Sequence, residues 1–139
     1  MEKEKKYKLI VSESQLKLIA KCVEDMSRFM SGQTELWNST SILDSYCELR
    51  DKLEELKPLV TPELPHNASY GWNGGHCPNK YQEEFIAKTY AIYREILHQM
   101  RVLNREAEKD GEFSYNVYDS PTLTCELGGE LPKIEKMEE

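Results

Sequence analysis

A chain of 139 residues with 39% hydrophobic and 31% charged side chains is long enough for one domain with its own core and too short for two of ordinary size; its apolar residues are too interrupted for a membrane span. Lysine and arginine number 18 against 25 aspartates and glutamates, a formal charge of -7 at pH 7, which opposes a broad nucleic-acid footprint. Four cysteines stand far apart at 22, 47, 77 and 125, and the opening Met1-Glu2-Lys3-Glu4-Lys5-Lys6 leads into no apolar signal core, so a cytoplasmic setting is expected.

Lys6 to Val11 reads as a short β-prone strand. Ser12 then has the spacing of an N-cap, with Gln15 at the third helical position, so a helix is expected to start there. Leu16, Ile19, Val23, Met26 and Met30 recur at steps of three and four and define its apolar stripe, and Gly32 is the expected stop. Leu36 to Thr40 reads as a connection in which Trp37 anchors the turn. A second helix is expected from about Ser41, with Ile42, Tyr46, Leu49, Leu53 and Leu56 inward and charged residues over the rest of its circumference. Pro58 is expected to close it, because proline disfavours helical geometry before it and has no amide proton to continue the ladder.

Residues 61–78 break the pattern with prolines, glycines and histidines. A loop of that length inside a small domain is expected to have a job: roofing the helical core, presenting a recognition surface, or remaining mobile. The third helix is expected from Asn79 or Lys80 to near Ala107, with Tyr81, Phe85, Thr89, Ile92, Ile96, Met100 and Leu103 in one stripe, widened by Ile86, Tyr90, Tyr93 and Leu97. Such a width suits a central helix packed against both others. After Asp110-Gly111, Phe113, Tyr115 and Val117 alternate with polar positions as a strand. The expected fold is therefore mainly α, a three-helix core with a small antiparallel β-ribbon formed by N- and C-terminal segments. Residues 1–125 make one compact domain, and 126–139 an acidic, flexible tail.

Motifs with catalytic meaning are scarce. His76 and Cys77 are adjacent, but structural zinc needs four donors, commonly as two close pairs, and no second pair is present; they are weak metal candidates only. Glu95 and His98 stand three apart on the third helix, a spacing found in carboxylate-bridged metal bundles, yet a single copy falls short of such a site, and pairing of His98 with a nearby acid is the plainer expectation. Thiol catalysis would need an oriented base and an oxyanion site besides Cys77. No phosphate-loop, dinucleotide, zinc-helix or nucleophile-elbow motif occurs, and no cofactor is implied.

The stretch from Asn67 to Asn73 carries more promise. Tyr70 and Trp72 supply rigid apolar anchors, while Asn67, Ser69 and Asn73 supply hydrogen bonds for a peptide or small ligand. Both rings would equally well roof the core with their polar atoms at its rim. Arg94 and Arg101, about two helical turns apart on one face, form a possible anion site if they converge.

The block from Leu64 to Trp72 and the block from Asn116 to Cys125, followed by the acidic Leu131-Pro132-Lys133-Ile134 end, resemble small uncharacterised proteins encoded by bacteriophages and mobile elements, especially of gut Bacteroidetes. The resemblance implies no catalytic residues. It implies an accessory or regulatory interaction role, so the leading expectation is a non-enzymatic module that binds a protein partner, or itself, through the aromatic loop. The alternative is a binder of a small ligand, an anionic metabolite or nucleotide, held by Tyr70, Trp72 and basic side chains of the third helix. A metal protein or enzyme ranks behind both.

Overall fold

The computed structural model describes residues 4–33, 46–62, 64, 68–75, 77–105 and 117–137. Helix α1 spans Glu13–Ser31. Its start follows from the expected capping box: Ser12 Oγ accepts the Gln15 amide at 3.2 Å and Gln15 Oε1 accepts the Ser12 amide at 2.9 Å, which satisfies two donors that a helix start otherwise leaves without partners. Its end is Gly32, left-handed at φ 102°. A side chain there would be strained by the backbone angle alone, and its Cβ would lie 2.5 Å from Thr61 Cγ2, so only glycine lets the two chain segments meet.

The side of α1 that faces inward is made of small or polar residues, Ala20, Glu24, Ser27 and Ser31. Of the expected stripe, Leu16, Val23 and Met30 are partly buried, whereas Ile19 and Met26 are exposed. The correction has a steric cause: small side chains let α1 approach the third helix closely, close enough for Ser27 Oγ to reach the carbonyl of Ile86 at 3.4 Å, and the bulkier apolar residues flank that contact.

Helix α2 spans Tyr46–Val60; its expected beginning at Ser41, and Trp37, lie outside the described residues. Leu53 is its buried apolar residue, while Leu56 and Leu59 are exposed. Pro58 does not close α2, because the chain stays helical to Val60. Only two residues follow Pro58 in the helix, and although the proline withdraws its own donor and crowds the carbonyl four residues back, the Thr61 amide and hydroxyl beyond it both return to the carbonyl of Lys57, at 2.9 and 3.2 Å.

Helix α3 spans Lys80–Arg105, with Asn79 Oδ1 accepting the Gln82 amide at 3.1 Å. Its first expected stripe is a margin rather than the centre: Tyr81, Phe85 and Ile92 are exposed, while Ile86, Tyr93, Ile96 and Met100 are buried. α3 runs antiparallel to α1. Ala20 packs with Ile96 and Met100 at one end, and Gln82 Nε2 donates to the carbonyls of Met30 at 2.7 Å and Val60 at 2.8 Å at the other. One amide group thus ties the ends of α1 and α2 to the start of α3.

The C-terminal segment is strapped along α3. Arg94 Nη2 donates to the carbonyls of Val117 at 2.7 Å and Ser120 at 3.1 Å, Thr122 Oγ1 donates to Glu95 Oε2 at 2.6 Å, and Gln99 both donates to Pro132 O at 2.7 Å and accepts from the Ile134 amide at 2.6 Å. Residues 126–137 therefore begin a docked segment rather than a free tail, with a 3-10 turn at Glu126–Gly128 and Ile134 packed on the Ala20 cluster. The ribbon is not seen: among the described residues there is no strand, Tyr7, Leu9 and Ile10 are exposed, and Val117 opens a 3-10 turn, Val117–Asp119. Phe113 and Tyr115 lie outside the described residues. No helix among the described residues is long and apolar enough to cross a membrane.

Candidate functional site

Where α1 ends beside α3, an open cleft of about 210 Å³ is lined by Ser27, Arg28, Ser31 and Gln33 on one side and by Gly71, Trp72, Ile86, Tyr90 and Tyr93 on the other. The long loop delivers Trp72 between two fixed points. On one flank the Tyr70 amide donates to Ser31 O at 2.8 Å while its ring packs with Cys77 and Ile86. On the other, Asn73 Oδ1 accepts the Gly75 amide at 2.9 Å, and Gly74, at φ 70°, lies so near the backbone of Glu83 that a Cβ would meet it at 2.8 Å. A turn fastened this way holds the half-buried indole in place.

The rings form a chain. Trp72 and Tyr90 have centroids 5.1 Å apart at 45°, and Tyr90 meets Tyr93 edge-on at 5.6 Å and 83°, arrangements favoured by aromatic quadrupoles. Burial pushes the Tyr93 phenol up to about 12, against a downward pull from Arg28 and further upward pushes from Glu24, Tyr90 and Tyr118. Its hydroxyl is therefore neutral at physiological pH and available as a donor.

The opposite wall is polar and charge-balanced. Arg28 Nε and Nη2 each lie 3.1 Å from Glu24 Oε2, and Arg28 Nη1 donates to Gln33 Oε1 at 2.8 Å. Gln33 can turn back onto Arg28 because its own amide closes on Arg28 O just beyond Gly32. On the far side of Trp72, a void of about 10 Å³ bounded by residues that include Ala87, Ala91, Cys125 and Gly128 has room for about one water.

The expected site residues divide. Trp72 lines the cleft, but Tyr70 is 4% exposed and belongs to the core, so the two do not form a shared surface patch. Ser69 is exposed, Asn73 serves the turn, and Asn67 and His76 lie outside the described residues. Cys77 is buried, with its Sγ donating to Asn79 O at 3.4 Å. Arg94 and Arg101 do converge, but on the chain itself: Arg94 grips the 117–120 turn with its guanidinium 5.1 Å from the centroid of the Tyr118 ring, and Arg101 Nε pairs with Asp119 Oδ1 at 3.0 Å. His98 likewise pairs with a carbonyl rather than an acid, Nδ1 donating to Tyr118 O at 2.7 Å: the strap supplies an acceptor, while Glu95 is occupied by Thr122 and Gln99. Among the described residues no three histidine, cysteine or acidic side chains are grouped to hold a metal ion.

The cleft residues missed in the sequence left faint traces. Ser27 and Ser31 stand one turn apart, as do Glu24 and Arg28, and Tyr90 and Tyr93 were legible as inward-facing residues without any hint that a gap opens beside them. Comparisons with protein-family models, curated proteins and solved structures return no match.

Proposed function

We propose that this chain is a non-enzymatic binding protein whose aromatic loop forms one wall of a cleft for a small molecule. The observation that carries this reading is the concave site itself, with Trp72, Tyr90 and Tyr93 facing Ser27, Ser31 and Gln33. Concave sites with mostly apolar or aromatic walls and a few convergent polar groups are the usual form of small-molecule sites. A protein-docking role for Tyr70 and Trp72 together is less well supported, since Tyr70 is spent on the core. What the lining offers is stacking surface and hydrogen bonds, the means of holding a ligand. An accessory role of the kind found in bacteriophages and mobile elements accords with such a binder.

The test is a screen of small-molecule mixtures against ¹⁵N-labelled full-length protein. The expected result is a set of mixtures that shift the Trp72 indole N–H together with the Gln33 and Tyr93 amides, and that lose this effect in Trp72→Ala. Shifts confined to other surfaces, or none at all, would overturn the reading.

A further inference from the structure

We infer that the cleft takes an uncharged planar heterocycle with a hydrogen-bond donor beside an acceptor on one edge, the class of nucleobases and nucleosides. This deepens the binding reading above and rests on it.

Charge comes first. The cation lining the cleft is Arg28, and it is already matched by Glu24, 8% exposed and bonded through both Nε and Nη2. A ligand phosphate or carboxylate would have to compete with that carboxylate, so the pairing that favours anions elsewhere is spent inside the protein.

Hydrogen-bonding capacity comes second. Ser27 and Ser31 are 4% and 3% exposed, and their hydroxyl protons are directed to the carbonyls of Ile86 and Arg28. Each therefore offers lone pairs, which accept from a ligand N–H. Gln33 presents the reverse. Arginine only donates, so the Gln33 atom facing Arg28 is Oε1, and its NH2 group is left to donate. Tyr93 lines the same cleft, and its phenol is a donor as well as an acceptor. A ligand acceptor in the cleft would take the proton of that hydroxyl in place of water. Serine acceptors beside tyrosine and glutamine donors match the alternating edge of an amide-like or amidine-like ring system.

Shape comes third. Trp72 and Tyr90 both line the cleft, and aromatic rings stack on any base; about 210 Å³ falls below the roughly 300–1,000 Å³ of sites that take drug-sized molecules. One ring or a fused pair fits, with the rest of the molecule in solvent.

The experiment titrates ¹⁵N-labelled full-length protein with adenosine, guanosine and uridine, with their 5′-monophosphates, and with glucose. At least one nucleoside is expected to shift the Trp72 indole N–H and to bind several-fold more tightly than its monophosphate. Tyr93→Phe is expected to weaken that binding about tenfold, and Ser31→Ala to weaken it as well, with the amide spectrum otherwise kept. Tighter binding of the monophosphates, or a response to glucose and not to nucleosides, would overturn the ligand class while leaving a working cleft. Equal binding to Tyr93→Phe would overturn the role given to its hydroxyl. Silence of all these probes together with a silent mixture screen would remove the cleft reading itself.

Discussion

Tyr93 couples the cleft to the stability of the fold. A phenol whose folded-state value stands at about 12 against an ordinary 10.0 contributes stability in full below about pH 10, and that contribution is lost as pH rises from about 10 toward 12, because the unfolded chain releases the proton first. After allowance for the cleft's contact with water it amounts to about 2 kcal/mol. Urea unfolding followed from pH 9 to 12 should therefore show a steeper decline for the native chain than for Tyr93→Phe, and parallel curves would contradict the assignment. Legibility at this scale depended on whether a residue's partner lay nearby in sequence. Ser12 with Gln15, and Gly32 as a stop, were readable because a cap is a local arrangement. Arg28 and Ser31 were not, and Tyr93 was readable only as an inward-facing residue, since a helix pattern records which way a side chain points and says nothing of whether space is left in front of it.

Among the elements, α1 and α3 form the stable pair, and α2 is joined to them at its end. Gln82 makes that joint by capping Met30 O and Val60 O at once. Gln82→Leu keeps much of the packing volume but strips two carbonyls of their partner, a loss of about 1–3 kcal/mol. The expected readout is a lower urea midpoint with increased amide exchange concentrated in α2; uniform exchange across α1, α2 and α3 would argue against a joint at this residue. The three helices found among the described residues, and the ends marked by Ser12, Gly32 and Asn79, were legible from periodicity and caps. The rotation of α1 was not, because hydrophobicity points to Ile19 and Met26, whereas close approach selects Ala20 and Ser27.

For the molecule as a whole, the C-terminal strap is part of the fold. Ile134 is partly buried on the Ala20 cluster and Gln99 brackets the chain on both sides. Burial of one such side chain, worth about 1.5–3 kcal/mol when complete, together with hydrogen bonds of about 1 kcal/mol each, makes the segment worth about 2–3 kcal/mol. Removing residues 126–139 should lower the thermal midpoint by roughly 10 °C, as calorimetry would show; an unchanged midpoint would return the segment to the status of a tail. Composition alone read it as a tail, because Leu131-Pro132-Lys133-Ile134 has no period and its anchor, Gln99, is a polar residue on another element. The small inward residues of α1 also bear on how such a protein changes over generations. Ser27 both spaces the helices and lines the cleft, so a larger residue there that retunes what is bound also drives α1 away from α3. New specificity is therefore most accessible at Gln33, just past the helix end, where a side chain can be exchanged and the scaffold inherited intact.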